Sequence, residues 1–153
     1  MADRTTGESK FKVHTFNSGL KWTGERTYDL TGESAPVIQG APPSVFRGIE
    51  GKWSPEDLVL SGVNSCHAST FFGYAERKHF EFVSYESSAV GTLEHDGTNY
   101  GFSKIVLKPK VGVKSEEDIP LADQYLRRAK ELCFMAHSVK AEVVLEPEIF
   151  VAS

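Results

Sequence analysis

Ser54-Pro55-Glu56-Asp57-Leu58-Val59-Leu60-Ser61-Gly62-Val63-Asn64-Ser65-Cys66-His67-Ala68-Ser69-Thr70-Phe71-Phe72-Gly73-Tyr74-Ala75-Glu76-Arg77-Lys78 reads as one long buried helix with a cysteine near its middle. Ser54 suits an N-cap and Pro55 the first helical position, while Glu56 and Asp57 put negative charge on the first turn, where the helix dipole favours it. Arg77 and Lys78 supply the opposite sign at the far end. From Leu58 to Tyr74 there is no Asp, Glu, Lys or Arg. That run approaches the length of a membrane span, but Ser61, Asn64, Ser65, His67, Ser69 and Thr70 are too costly for lipid, so a buried helix is the better reading. At about 1.5 Å per residue it would be roughly 37 Å long, more than the core of one small domain covers. Gly62, Ser65, Ser69 and Gly73 would admit another backbone on one side, while Val59, Val63 and Phe71 bury another. A second copy of the chain is the natural cover, and a homodimer with this helix in its interface is expected.

The chain around this helix has 153 residues, 40% of them hydrophobic, enough for one domain with a real core. A single domain over residues 11–153 is expected, preceded by a polar, flexible arm over residues 1–10. The net charge of -4, with Lys and Arg scattered, gives no basic footprint for nucleic acid or anionic membrane. The N-terminus has no apolar segment of the export type, so the cytoplasm is the expected compartment. There a pair of cysteines is more often redox-active, metal-binding or simply buried than a permanent structural bridge.

Period-two alternation at Phe11, Val13 and Thr15, a turn at Asn17-Ser18-Gly19 and extended residues at Leu20 and Trp22 predict a first hairpin, with Tyr28, Leu30 and Val37-Ile38 adding to its sheet. Phe46 to Trp53 reads as a glycine-bearing flexible loop. After the long helix, Phe80 and Phe82 open a strand in which Tyr85, Ser87, Ala89, Gly91 and Leu93 share a face. His95-Asp96-Gly97-Thr98-Asn99 is its turn. The return strand runs from Tyr100 to Val113, with Pro109 suggesting a frayed or edge position. Ser115-Glu116-Glu117-Asp118 caps a second helix with Ala122, Leu126, Ala129 and Cys133 on one inward stripe. A last strand alternates at Ala141, Val143 and Leu145. The order indicates α+β with antiparallel sheet, a long central helix and a second helix.

Cys66 and Cys133 thus fall on two helices, each facing inward. Read from chemistry alone they are small buried hydrophobes, a redox pair or metal ligands. A Zn2+ site using His137 is disfavoured because no short ligand pair of the C-x-x-C or H-x-x-x-H kind exists. His67 adjoins Cys66, but helical neighbours point about 100° apart, so packing suits it better than service as a base.

The segment Trp53-Ser54-Pro55-Glu56-Asp57-Leu58-Val59-Leu60 running to Asn64-Ser65-Cys66, then Ala75-Glu76-Arg77-Lys78, resembles the OsmC/Ohr family of thiol-dependent hydroperoxide reductases. So does Ala129-Lys130-Glu131-Leu132-Cys133 followed by Ser138-Val139-Lys140-Ala141-Glu142-Val143. The resemblance covers roughly residues 11–149 and implies an OsmC-like fold in an intertwined homodimer with active sites at the subunit interface. It also implies that Cys66 is the peroxidatic cysteine, Cys133 the resolving one and Glu56 the helix-start glutamate that anchors an arginine. Arg47 is the preferred arginine and Arg26 its rival. A cation is needed there because a buried thiol otherwise holds its proton, and Cys66 lies too far into its helix for the dipole to help. Phe134 stands where the best-known relatives often have proline, and His137 where they often have an amide. His137 would share the face of Cys133 and tune it only if that helix persists; capping or surface exposure is the plainer role.

The function implied is a peroxidase acting on organic hydroperoxides, without metal or cofactor and with a lipoyl or small-thiol type of dithiol as reductant. Phe46, Trp53, Phe71 and Phe72 are the candidate walls of the substrate pocket. The alternative is a dimer of the same fold that holds a small molecule or thiol without turning over peroxide.

Overall fold

The computed structural model describes residues 11–153, so the expected arm over 1–10 lies outside the described residues. The chain forms two compact units that meet in sequence at Pro55 and Glu56. In the first, β1 (Ser18–Gly24), β2 (Thr27–Gly32) and β3 (Ile38–Gly40) make an antiparallel sheet in that order. The hairpin expected to turn at Asn17-Ser18-Gly19 instead turns after Gly24. Gly24 and Glu25 take φ of 118° and 48°, and residues 18 and 19 already pair with Gly32 and Thr31. Residues 11–17 belong to no strand; Val13 and Phe16 are 89% and 86% exposed, so their alternation has no face to bury. A 3-10 turn at Ser44–Phe46 follows, held by the Phe46 and Gly48 amides on the Pro43 carbonyl. Gly48 serves close approach rather than flexibility: a Cβ there would fall 1.4 Å from the Pro42 carbonyl oxygen.

The second unit is built on α1 (Pro55–Arg77), the helix expected from the opening stretch. Its buried residues Val63, His67, Phe71 and Ala75 recur every four positions, a single stripe along one side. Beyond it, β4 (Ser84–His95) and β5 (Tyr100–Val113) form a long antiparallel hairpin. Tyr85, Ser87, Ala89, Gly91 and Leu93 are the half-buried face of β4, as the alternation predicts. Gly91 is required there, since an added Cβ would lie 2.6 Å from both Leu60 Cδ2 and Phe102 Cε1. The hairpin turn sits at its expected place, with Asp96 Oδ1 accepting the amides of Thr98 and Asn99 at 2.8 Å.

α2 (Asp118–Leu132) then carries the chain back along the sheet, so β6 (Glu142–Leu145) and β7 (Glu148–Val151) pair with β5 in parallel. The sheet is therefore mixed, with the expected antiparallel pairing in β4–β5 and parallel pairing added by β6 and β7. Pro109 is not at an edge: it is buried in the central strand, between the stretches of β5 that pair with β6 and with β7. The start of α2 also differs from expectation, because Glu117 takes the cap position without a side-chain cap bond, and the Ser115 hydroxyl donates to the Asp118 carboxylate instead. The core has two lobes. Phe71 packs with Val111, Val113, Ala122, Leu126 and Ala129, and Val63 packs with Ile105, Leu107, Ala141 and Val143.

Candidate functional site: a pair of thiols between two helices

Cys66 projects from the middle of α1 and is partly exposed, while Cys133 is fully buried, and both are free thiols. Besides burial, Cys66 is one of the neighbours that raise the pKa of the Cys133 thiol, so two residues far apart in sequence lie near one another. The inward stripe of α2 holds through Ala122, Leu126 and Ala129, but Cys133 is not on the helix. It sits at the break after Leu132 with extended torsions (φ -72°, ψ 114°), closing α2 and opening the short α3 (Phe134–Ser138). Its sulfur faces back to α1, 3.9 Å from the Val63 carbonyl oxygen. Burial pushes the Cys133 thiol above its ordinary pKa, and nearby Cys66 adds to this. The backbone amides of Ala136 and Met135 pull the other way and lose.

The break also decides the role of His137. Exposed on α3, it places Nε2 2.7 Å from the Glu131 carbonyl. It therefore closes the end of α2, satisfying a carbonyl that the helix leaves open.

Glu56 occupies the first turn of α1, ten residues and so about 15 Å of helix rise before Cys66. Its Oε2 is shielded from solvent and has no hydrogen-bond partner among the described residues. Arg47 and Arg26 belong to the other unit, where the two rivals are neighbours: Arg26 Nη1 donates to the Phe46 carbonyl at 3.0 Å, immediately before Arg47. Arg47 itself takes a left-handed conformation, φ 62°, uncommon for a residue with a side chain. Both are exposed.

Of the aromatic candidates, Phe71 is corrected. It is 0% exposed, stacks on Tyr85 and lies against Phe82, and so belongs to the core. Phe72, the next residue round the helix, is 40% exposed. In the first unit Trp53 is 45% exposed and Phe46 half-buried. Two polar residues of α1 prove structural: Asn64, given no role from the sequence, and His67, expected to pack. Asn64 exchanges hydrogen bonds with Ser87 on β4, accepting from its hydroxyl at 2.7 Å, and the fully buried His67 reaches α2. Their signal was present in the helix itself, as polar side chains inside a run without charge.

A long helix presenting one thiol to a second, buried thiol at a helix break, over a mixed sheet, defines an α+β protein with a thiol pair. The OsmC-like protein family profile matches residues 48–148, and the chain belongs to that family. The fold is shared with an OsmC-like protein of unknown function from Vibrio cholerae, at 22% identity and a TM-score of 0.80 over 88% of this chain and 99% of that one. An organic hydroperoxide resistance protein from Elizabethkingia anophelis superposes at TM-score 0.71 and 13% identity, covering 92% of this chain and 99% of its own. OhrB of Bacillus subtilis, also an organic hydroperoxide resistance protein, does so at 0.64 and 16%, over 89% and 98%. No curated protein sequence matches the chain.

Proposed function

We propose that the protein is a thiol-dependent peroxidase that reduces organic hydroperoxides, with Cys66 as the attacking thiol and Cys133 as the resolving one. The observation that carries this reading is an accessible thiol on α1 beside a buried one whose sulfur lies 3.9 Å from the Val63 carbonyl of the same helix. Cys133, held neutral by burial, is the poorer nucleophile, which leaves the first attack to Cys66. The Cys66 thiolate attacks the distal peroxide oxygen. An S–O bond forms as the O–O bond breaks, and the electron pair leaves on the alkoxide, which takes a proton and departs as alcohol. The Cys133 sulfur then attacks the Cys66 sulfenic acid, forming the disulfide and releasing water. A dithiol of the lipoyl or small-thiol kind returns both cysteines to thiols and is itself oxidised to its disulfide.

Glu56 is the carboxylate of the site, a role its unpaired, shielded oxygen supports, and Arg47, before Arg26, is the arginine that favours the thiolate. Phe72 on α1 is an apolar contact for the substrate chain; Phe46 and Trp53 of the first unit are further candidates. The working form is an intertwined homodimer in the cytoplasm, acting as one domain per chain. The test is steady-state consumption of cumene hydroperoxide with dihydrolipoamide. Wild type is expected to turn over, Cys66→Ser to lose activity, and Cys133→Ser to react once and stop. If wild type and Cys66→Ser are equally inert while a thiol ligand raises the melting temperature, the non-turnover reading is the correct one.

A further inference from the structure

His67 is the one fully buried polar side chain of α1 that neither cysteine touches in the scheme above. Its Nε2 lies 3.0 Å from the Leu126 carbonyl oxygen of α2. A carbonyl only accepts, so Nε2 carries the proton, and Nδ1 is left buried without a partner. Satisfying α2 does not require this bond, because Leu126 lies inside that helix and its carbonyl already receives the amide of Lys130 one turn on. A leucine would fill the same space and leave no polar atom unpaired, so packing alone does not account for a histidine here.

What the bond does is fix position. Around it, Phe71 packs against Ala122, Leu126 and Ala129, and Tyr74 meets Tyr125 edge to face with ring centroids 5.1 Å apart, contacts that tolerate a small slide more readily than a hydrogen bond does. One turn before His67 on the same face, the Val63 carbonyl meets the Cys133 sulfur. The polar hold of α1 on α2 thus sits one turn from the point where α1 receives the resolving thiol, and the chain between Leu126 and Cys133 is helix up to Leu132.

We propose that His67 is a positioning residue for disulfide closure: by gripping Leu126 it sets the register of α2 on α1, and so the placement of Cys133 beside Cys66. This rests on the peroxidase reading only for the source of the oxidation. Lys130 of α2 and burial both oppose a charged ring, so the neutral Nε2–H form does the holding.

The test compares His67→Leu, which keeps the bulk and loses the donor, with His67→Gln, which keeps a donor. In glutathione redox buffer the effective concentration of the Cys66–Cys133 pair is expected to fall at least tenfold in His67→Leu and to stay within threefold of wild type in His67→Gln. After a peroxide pulse, disulfide closure in His67→Leu is expected to slow at least tenfold more than sulfenic acid formation, and sulfinic Cys66 to accumulate. Equal closure in His67→Leu and wild type, or no rescue by glutamine, would overturn the proposal. If the leucine variant does not fold, 15N imidazole spectra of wild type decide: a fixed Nε2–H tautomer supports the grip, and averaging tautomers refute it. If wild type ignores peroxide but still forms the pair in glutathione, the peroxidase reading alone has failed.

Discussion

Burial keeps the Cys133 thiol neutral above its ordinary pKa, so iodoacetamide at pH 7.5 is expected to label Cys66 at least tenfold faster than Cys133. Peptide mass mapping checks this, and equal labelling would contradict the order of attack. His67 titrates in the opposite direction. Burial first, with Lys130 adding and the Leu126 bond opposing, lowers its pKa from 6.5. The unfolded chain therefore binds a proton that the folded one refuses, and stability is expected to fall as the pH drops below about 6.5. His67→Gln should flatten that decline in urea titrations from pH 7.5 to 5. Phe71→Ala is expected to cost about 3–5 kcal/mol, the usual loss for a buried aromatic. Phe72→Ala should cost much less and act on substrate affinity instead. The sequence spacing showed that Cys133 faces inward because steps of three and four report a helix face. It did not show the break at Cys133, because such a stripe looks the same whether the last turn is helical or the chain leaves it to seat a sulfur against Val63. The same break seats His137 against the Glu131 carbonyl, a placement that spacing alone did not show.

At the level of elements, α1 was legible almost to its ends, since its first residue, charged termini and uncharged middle all agree. The half-buried face of β4 was legible for a similar reason: strict alternation over five positions has one geometric meaning. Strand direction was not, because period two is the same in parallel and antiparallel pairs. The parallel pairing of β6 and β7 comes from α2 crossing back over the sheet. Pro109 misled for a related reason, as its missing donor is tolerated in a central strand where the neighbouring strand is interrupted. The fit of α1 on the hairpin gives a further expectation. Gly91→Ala presses on Leu60 and Phe102, and should lose about 1–3 kcal/mol by urea denaturation through overpacking. In the first unit, Arg47→Ala is expected to lower kcat/KM for hydroperoxide at least tenfold, with a smaller effect for Arg26→Ala. The reverse ranking would move the thiolate-stabilising role to Arg26.

On the scale of the whole molecule, the apolar surface left open is considerable. Leu20 and Trp22 on β1 are 62% and 70% exposed, and Val59 and Phe72 on α1 are 40% exposed. Gly62 has open space where a Cβ would be. Faces of this kind mark association, and light scattering is expected to give twice the 16.9 kDa of one chain. Helix length and these open faces lead to the expectation of a dimer, but the partner face is not written in one chain's periodicity. The central claim concerns the two thiols, and intact mass spectrometry of the reduced protein after one equivalent of alkyl hydroperoxide addresses it most directly. The expected product has lost two hydrogens per chain and yields a Cys66–Cys133 linked peptide on digestion, whereas Cys133→Ser gains one oxygen on Cys66. Unchanged mass in the wild type, or the same product from Cys66→Ser, would contradict it.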